Sequence, residues 1–434
     1  MIDRFARKAV TTQLAQMRGG PVTVMEHGRR EVFGQTGDIS AASQGGSIAE
    51  CQVTVHDPRL YRRMLLGGSL AAAESYLDGD WDCDNLTALI RFLVRNEKAL
   101  QGLDSGLARV AGWGARFWHR LRRNTRAGSR RNIAAHYDLG NEFFQLFLDE
   151  TMMYSSGIFP TEESTLLEAS IEKNDRICRK LQLQPGDHLL EIGTGWGGFA
   201  VYAAEHYGCR VTTTTISRKQ FTLARRRVAE AGLTDRVNVL LSDYRDLTGT
   251  FDKLVSIEMI EAVGHQYFDT FFRKCGGLLK ADGLMLLQGI VMQEQRYAEY
   301  LRSTDFIQRY VFPGGCLPTP LALTAAAART SDLYPVHHED FADHYARTLA
   351  CWRTRFQERV DEVRAQGFDE QFLRTWHYYF CYCEAAFAER YIGLAHLMLA
   401  KAGWRGDTID CAPIPREYPA ATRFSQMSDL EASA

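Results

Sequence analysis

Apolar residues between positions 185 and 290 occur in short runs, each followed by a turn signal and then a helical pattern. Leu189, Leu190 and Ile192 predict the end of a buried strand, and residues 199–204 predict the helix that follows it. Four further runs predict strands at 210–216, 237–241, 251–258 and 283–288. Strands that alternate with helices in this way predict an α/β fold with a doubly wound, parallel sheet.

The chain on either side of this region has a different pattern. The N-terminal part predicts a small α+β module of about 100 residues, because a helix, a β-hairpin and a further strand precede three helices. The hairpin strands, 21–24 and 31–33, flank His27 and Gly28, and the third strand lies at 51–55. The three helices are predicted at 58–66, 70–77 and 86–100. The chain beyond residue 300 predicts mainly helices, at 322–329, 341–364 and 369–399.

Composition narrows the class of protein. The chain has 434 residues, 45% of them hydrophobic and 24% charged, which is typical of a globular protein with two or three domains. A formal net charge of −2 gives no indication of a polyanionic partner such as nucleic acid. The ten cysteines form no Cys-x-x-Cys pair, and we interpret them as reduced thiols of a cytoplasmic protein without a metal site. No apolar run is long enough to span a membrane.

The stretch 101–131 is basic and predicts a linker. Seven arginines lie between positions 116 and 131 with no acidic residue among them, and Trp113, Phe117 and Trp118 accompany them. Two interpretations are open: a solvated linker helix, or a basic and aromatic face that rests on anionic lipid headgroups. No recognised nucleic-acid-binding motif accompanies the arginines.

A glycine-rich turn joins the first strand of the α/β region to its helix. Gly193, Gly195, Gly197 and Gly198 follow Glu191 in a Gly-x-Gly-x-Gly-Gly spacing, which allows a ligand to approach bare backbone near a helix N-terminus. The observed spacing is typical of the first motif of class I S-adenosylmethionine (SAM) methyltransferases, although a plain tight turn has the same glycines. Ligands of such sheets bind beyond the strand ends, so we expect one crevice lined by the segments 191–198, 215, 243–245 and 258–264.

Seven ordered motifs together resemble the cyclopropane-fatty-acid synthase family, from about residue 130 to residue 400. They are HYDLGNEFF (136–144), MMYSS (152–156), EIGTGWGG (191–198), TTISRKQ (214–220), DYRDL (243–247), SIEMIEAVG (256–264) and RYVFPGGCLPT (309–319).

The resemblance implies a SAM-dependent methyltransferase with added helices over an acyl-chain pocket, acting on unsaturated acyl chains of membrane phospholipids. It also implies a protein that associates peripherally with the inner face of the membrane, and dimers occur in the family. The domains expected on this basis are a lipid-binding domain at 1–100, the basic linker at 101–131, the methyltransferase domain at 132–404 and a tail at 405–434.

The resemblance also assigns cofactor-binding residues. Tyr154 and Ser155 would contact the methionine part of SAM, and the glycine-rich turn with Glu191 would meet its backbone side. Thr215 and Gln220 would approach the ribose or the carboxylate. Tyr244 and Arg245 would flank the adenine, and Asp243 would bond its amine. For Asp243 and Thr215 the alternative is a purely structural role as caps at the strand ends.

The resemblance also implies a pocket lined by aromatic side chains that stabilise a cation. The candidates, which could instead pack as core, are Tyr137, Phe144, Tyr154, Tyr345 and residues 378–380.

The family holds a bicarbonate ion as the base that removes the last proton, and here the resemblance is incomplete. The glutamate and tyrosine ligands are present as Glu261 and Tyr345, and the backbone ligand is Ile290. Ser156 replaces the cysteine and Gln288 replaces the histidine, so that bicarbonate binding is in doubt. His136, in the first motif, is a further candidate catalytic residue.

The altered base suggests an altered product. We therefore predict transfer of a methyl group to the double bond without ring closure, which gives a methyl-branched unsaturated chain. Glu258 is a candidate for the base, or it is a buried partner of an arginine. The alternatives are a cyclopropane synthase, a methyltransferase for a small molecule, and a non-catalytic lipid-binding protein.

Overall fold

The computed structural model divides the chain into two compact units. The residues that it describes are 2–34, 48–100, 139–407 and 409. Unit 1 comprises the described residues of Met1–Arg122, Ala298–Pro313 and Gln357–Ile392, and unit 2 comprises those of Arg123–Tyr297, Gly314–Phe356 and Gly393–Ala434. The predicted linker, His136, Tyr137 and almost all of the predicted tail lie outside the described residues.

Unit 1 contains a four-stranded sheet in the order β2-β1-β3-β4, with helices from both ends of the chain. Its strands are β1 (Val22–Glu26), β2 (Arg29–Phe33), β3 (Cys51–Val55) and β4 (Trp81–Cys83). The predicted hairpin is present, since β1 and β2 pair antiparallel. His27 and Gly28 have φ values of 46° and 79°, as a two-residue turn of this kind requires. The helices are α1 (Ile2–Leu14), α2 (Arg59–Leu77), α3 (Leu86–Arg95) and α4 (Glu97–Leu100), which are joined by α13 (Val360–Ala365) and α14 (Glu370–Ala388).

The helix α14 packs against α3 although almost 300 residues separate them in sequence. Glu389, directly after α14, pairs with Arg91 and Arg95, each at 2.6 Å. Elsewhere in unit 1, the segments predicted as two helices at 58–66 and 70–77 form the single element α2, which is kinked at Gly68 (φ 61°, ψ −147°).

Unit 2 is built on a seven-stranded sheet in the order β10-β11-β9-β8-β5-β6-β7. The neighbours from β9 to β7 pair in parallel, and β10 pairs antiparallel with β11. Leu189, Leu190, Leu254 and Leu286 are fully buried, because helices cover both faces of the sheet. The strands are β5 (His188–Ile192), β6 (Arg210–Thr215), β7 (Val237–Leu241), β8 (Phe251–Ile257), β9 (Leu279–Met292), β10 (Tyr334–Asp340) and β11 (Ile392–Ala400). The predicted mostly parallel α/β sheet is confirmed.

The prediction of a mainly helical C-terminal part was wrong for two of these strands. Residues 392–399 were predicted as the end of a long helix, yet they form most of β11 (Ile392–Ala400). Residues 334–340 were not assigned to any element and form β10. Almost every residue of β11 is buried, so its sequence lacks the alternation of apolar and polar residues that marks a strand with one exposed face. A continuous apolar run of this kind does not distinguish a buried strand from a buried helix.

Two long helices of unit 2 begin at side-chain caps. Thr165 and Glu168 form a capping box at the start of α6 (Leu166–Lys180), and Ser217 accepts a hydrogen bond from the N–H of Gln220 at the start of α8 (Arg218–Glu230). In the described part of the chain, no helix is both long enough and apolar enough to cross a bilayer. The helices that begin in unit 2 are α5 (Asn141–Gln145), α6 (Leu166–Lys180), α7 (Gly198–Tyr207), α8 (Arg218–Glu230), α9 (Phe268–Leu278), α10 (Glu294–Tyr300), α11 (Pro320–Thr330) and α12 (Ala342–Glu358).

Candidate active site

The glycine-rich turn between β5 and α7 leaves an open face of backbone. Gly193, Gly195 and Gly197 have φ values of 107°, 52° and 87°, in the region that favours glycine. A Cβ atom at Gly195 would meet nothing within 4 Å, whereas one at Gly197 would lie 3.1 Å from the Cβ of Ala224. Gly197 therefore allows close packing of α8, and Gly195 keeps a surface bare where a ligand can press against the backbone.

Glu191 lies behind this turn and is almost completely enclosed. Its side chain accepts a hydrogen bond of 2.5 Å from the hydroxyl of Thr213, and the residue is 1% exposed. Burial raises the pKa of Glu191 to about 8, against the opposing effects of Thr213 and of the positive charge of Lys173. This enclosed position fits support of the turn rather than direct contact with a ligand.

The ends of β6 and β7 bring the other predicted cofactor residues to the same edge of the sheet. The hydroxyl of Thr215 donates to Oε1 of Gln220 at 2.8 Å, so these two residues form a pair at the start of α8. Asp243 accepts hydrogen bonds from the backbone N–H of Arg245 and, through both carboxylate oxygens, from its guanidinium group. Asp243 thus caps the short 3₁₀ turn Tyr244–Asp246, and Thr215 also accepts the backbone N–H of Ser217. The Arg245 guanidinium lies 5.4 Å from the centre of the Tyr244 ring. The contacts of these residues with SAM stay predictions.

Glu258 follows β8 directly and receives hydrogen bonds from three distant parts of the chain. Its Oε1 accepts from the backbone N–H of Ser156 at 2.9 Å and from Nε2 of Gln288 at 2.8 Å. Its Oε2 accepts from the hydroxyl of Tyr345 at 2.6 Å. These partners include no arginine, so the interpretation of Glu258 as a buried partner of an arginine was wrong. The described residues instead assemble a cradle of donors around one carboxylate.

The backbone and charge around Glu258 are unusual. Its φ of 48° is in the left-handed region, which costs a residue other than glycine about 1 kcal/mol or more. Burial raises the pKa of Glu258, while the hydrogen bonds from Tyr345, Ser156 and Gln288 and the charge of Lys173 act in the opposite direction. A strained residue with a perturbed pKa at the end of a strand is typical of a functional group.

Glu261 supplies a second carboxyl group next to Glu258. Its Oε1 accepts the backbone N–H of Ile290 at 2.5 Å, and its Oε2 is buried and receives no hydrogen bond from any described residue. Burial, followed by the negative charge of Glu258, raises the pKa of Glu261 to about 8. The two carboxyl groups therefore have different environments and can hold their protons differently.

Ser156 reaches the site through its backbone N–H and not through the hydroxyl that was predicted to replace the cysteine. The hydroxyl of Ser156 donates to the carbonyl of Gly157, and only its backbone N–H faces Glu258. Ser155 accepts a hydrogen bond of 3.1 Å from Nζ of Lys173, which is fully buried. Burial lowers the pKa of Lys173 to about 8. Sequence reasoning missed Lys173, because buried residues lie on nearly every side of α6 and a single lysine does not stand out in its pattern.

Aromatic rings of unit 2 gather around Tyr154. Its ring centre lies 5.3 Å from that of Phe144 and 5.3 Å from that of Trp352, and Tyr345 meets Trp352 edge-on. The predicted pocket residues Phe144, Tyr154 and Tyr345 therefore belong to one cluster, which can stabilise a cation through the faces of its rings. Residues 378–380 belong to unit 1.

Adding a methyl group at Gly195 tests the open backbone face. We expect Gly195→Ala to raise the dissociation constant for SAM about 10-fold or more, because the new Cβ atom enters the space that the cofactor needs. Gly232→Ala is the matched control, since Gly232 also has a positive φ (69°) and open space around it but lies at the end of α8. Isothermal titration with SAM measures both variants. Equal affinities in the two variants would argue against a cofactor at this turn.

A glycine-rich turn after the first strand of a seven-stranded sheet, with its candidate groups at the neighbouring strand ends, defines a class I SAM-dependent methyltransferase. Residues 124–397, well over half of the chain, match the family model described as mycolic acid cyclopropane synthetase, and the chain belongs to that family. The protein is a SAM-dependent methyltransferase, and SAM is its cofactor. The open face at Gly195 fits such a group.

Individual relatives show the same relationship. The chain is 37% identical over 361 residues to tuberculostearic acid methyltransferase UfaA1 of Mycobacterium tuberculosis, covering 80% of this chain and 83% of that protein. It is 35% identical over 359 residues to cyclopropane-fatty-acyl-phospholipid synthase of Escherichia coli, covering 81% and 88%. A crystal structure of mycolic acid cyclopropane synthase CmaA1 with SAH and CTAB matches with a TM-score of 0.59 and 32% identity, over 63% of this chain and 98% of that one.

Proposed function

We propose that the protein transfers the methyl group of SAM to a double bond of an unsaturated acyl chain in phospholipid and releases a methyl-branched, unsaturated chain. The relatives support the class of substrate, because their names specify a tuberculostearic acid methyltransferase and a cyclopropane-fatty-acyl-phospholipid synthase. The single observation that carries the proposal is the cradle of three donors around Glu258.

The reaction needs a base. Bound SAM supplies an electrophilic methyl group on a sulfonium. The π electrons of the alkene form the new carbon–carbon bond, the carbon–sulfur bond breaks, and the other alkene carbon becomes cationic. The rings of Tyr154 and Trp352 can stabilise that charge. The cation becomes a stable product only when it loses a proton, and the position of the base decides which proton leaves.

Glu258 is the group best placed to act as that base. Three hydrogen-bond donors hold its carboxylate in place and favour the ionised form, which is the form that can take up a proton. The resemblance assigns Ser156, Gln288, Tyr345 and Ile290 to a bicarbonate ion. In this protein the first three donate to Glu258 and the fourth donates to Glu261. These donors therefore do not fit a separate bicarbonate ion, and a carboxylate of the chain takes its place.

A base that belongs to the chain favours the branched product. The carboxylate of Glu258 is held in one position at the end of β8, whereas a free ion can occupy several positions in a pocket. Removal of a proton from the neighbouring chain carbon leaves a double bond beside the new methyl branch. Removal of a proton from the transferred methyl group would instead close a cyclopropane ring.

The test is expression in a bacterium that makes monounsaturated phospholipids and lacks an enzyme of this kind. Both products gain one CH₂ group, so proton NMR of the extracted lipids must distinguish them. We expect vinyl signals on a chain that is one CH₂ heavier. Ring protons far upfield would instead identify a cyclopropane synthase and refute the branched product. Cells that carry Glu258→Gln are the control and should show neither signal.

We also propose that the protein works at an anionic membrane surface, as a cytoplasmic protein that binds it peripherally. The support is the cluster of arginines between positions 116 and 131, together with the lipid substrates that the names of the relatives specify. Sedimentation with anionic vesicles at low and at high salt measures this association, which should weaken with salt. A homodimer stays a prediction.

A further inference from the structure

A continuous line of hydrogen bonds runs from Glu258 into the core of unit 2. Gln288 donates to Glu258 through Nε2, and its Oε1 lies 2.8 Å from Nε2 of His396. The other ring nitrogen of His396, Nδ1, lies 3.0 Å from Nζ of Lys180. Nζ of Lys180 in turn lies 2.6 Å from Oε2 of Glu339. The line therefore joins the candidate base to an ion pair on the far side of the imidazole ring.

Four different elements contribute to this line. Gln288 lies on β9 and His396 on the neighbouring strand β11, so that their side chains meet across the sheet. Lys180 is the last residue of α6, and Glu339 lies on the edge strand β10. Gln288, Lys180 and His396 are completely buried, whereas the side chain of Glu339 is 25% exposed. Polar groups buried so deeply need partners with matching donors and acceptors.

The chemistry of the groups sets the direction of every bond. A lysine ammonium group can only donate, so Nδ1 of His396 must be an acceptor. A neutral imidazole then carries its proton on Nε2, and this N–H donates to Oε1 of Gln288. The amide of Gln288 is thereby oriented with its NH₂ group toward Glu258. The opposite orientation would place a carbonyl oxygen against a carboxylate.

The charges around His396 keep the ring neutral. Burial, followed by the positive charges of Lys180 and Arg176, lowers the pKa of His396 well below its ordinary value. The edge of the Phe341 ring packs on it at 4.6 Å between ring centres. The titratable and charged groups that face the imidazole are Lys173, Arg176 and Lys180 from α6, and His337 and Glu339 from β10.

We infer that Lys180 and His396 are positioning residues that fix the amide orientation of Gln288 and so keep Glu258 as an acceptor of hydrogen bonds. The inference rests on the proposed role of Glu258 as the base. Lys180 and His396 contact neither Glu258 nor, on this view, the substrate, and they act through the single amide of Gln288.

The first experiment uses the wild-type protein. Nitrogen-15 NMR of protein labelled at histidine reports the tautomer of each ring, and His396→Gln identifies the signal of His396 among the 12 histidines. We expect neutral His396 with its proton on Nε2 across the range in which the enzyme is stable. A proton on Nδ1, or a charged ring at neutral pH, would overturn the inference. This measurement requires neither turnover nor a folded loss-of-function variant.

The second experiment compares two replacements of His396. His396→Leu removes both ring nitrogens, so Gln288 is no longer oriented and Glu258 loses a donor. We expect kcat to fall at least about 10-fold and the acidic limb of its pH profile to move to higher pH, because a carboxylate with fewer donors has a higher pKa. The dissociation constant of SAM should stay within about twofold, since neither Gln288 nor His396 is among the residues that the resemblance assigns to the cofactor.

His396→Gln should restore most of the activity, because its amide can accept from Lys180 and donate to Gln288. His206→Leu, which changes an exposed histidine of α7 outside the line, is the matched control and should leave the profile unchanged. An unshifted limb in His396→Leu, or equal losses in His396→Leu and His396→Gln, would contradict the inference. Failure of the proposed function is seen separately, because lipid NMR of the wild-type product and the tautomer of His396 are independent measurements.

Discussion

Glu258→Gln is expected to lower kcat for methyl transfer about 1,000-fold, within the range that a positioned general base contributes. Glutamine keeps the shape of the side chain but cannot take up the proton that the cationic chain must lose. Its amide would also place an NH₂ group against one of the three donors that now point at Glu258. The dissociation constant of SAM should change by less than about threefold, because Glu258 is not among the residues that the resemblance assigns to the cofactor. Single-turnover kinetics with labelled SAM and titration calorimetry measure the two quantities.

Chemical rescue makes this test more specific. Glu258→Gly leaves the donors of Ser156, Gln288 and Tyr345 without their carboxylate, and glycine also suits the left-handed backbone at this position. We expect added formate or bicarbonate to increase the activity of Glu258→Gly several-fold and to leave the wild type unchanged. Glu205→Gln, at an exposed glutamate of α7, is the control for the substitution itself. Stimulation of the wild-type enzyme by bicarbonate would instead indicate that a free ion is the base.

The pH profile follows from the same group. Glu258 must be ionised to accept a proton, and burial raises its pKa above the ordinary value for glutamate. The rate should therefore rise with pH through this raised pKa and fall as the pH drops below it.

Glu261→Gln is expected to lower kcat about 100-fold or more while SAM binding is nearly unchanged. An amide at this position can neither hold nor release a proton. Its NH₂ group would also occupy the place of the buried Oε2, which forms no hydrogen bond with any described residue, and would be a buried donor without a partner there. Steady-state kinetics and calorimetry measure the effect, again with Glu205→Gln as the control. Activity close to that of the wild type would refute a catalytic role for Glu261.

The pH dependence of the melting temperature gives a second test on Glu261→Gln. The pKa of Glu261 is raised from 4.5 in the reference state to about 8 in the fold. The folded protein therefore binds this proton more tightly than the unfolded chain, and the resulting stability is present below pH 4.5 and is lost as the pH rises toward 8. We expect the wild type to lose melting temperature relative to Glu261→Gln over that interval.

Local patterns in the sequence were sufficient for the parts of the site that lie within one turn. Each of these parts is a short continuous segment that follows a strand: the glycines after β5, and the polar groups at the ends of β6 and β7. Each can be derived from strand–turn–helix rules. The cradle around Glu258 could not be derived in this way, because residues 156, 288 and 345 come together only through the tertiary fold. Their relation to one anion came from resemblance to a family. Neither local patterns nor the resemblance predicted the line of hydrogen bonds through His396. The strand β11 was predicted as a helix, so its histidine had no predicted neighbours.

Unit 1 has a consequence for the order in which the protein folds during synthesis. Its sheet and first helices are made within the first 100 residues, but α14, which packs on α3 and leads into the Glu389 ion pairs, is made almost 300 residues later. At about 5–20 residues per second, the ribosome needs on the order of 15–60 s to synthesise the intervening chain. For that time the face of α3 that packs against α14 has no native cover. We therefore expect the nascent N-terminal segment to require protection by chaperones, and a protein truncated before residue 370 to aggregate.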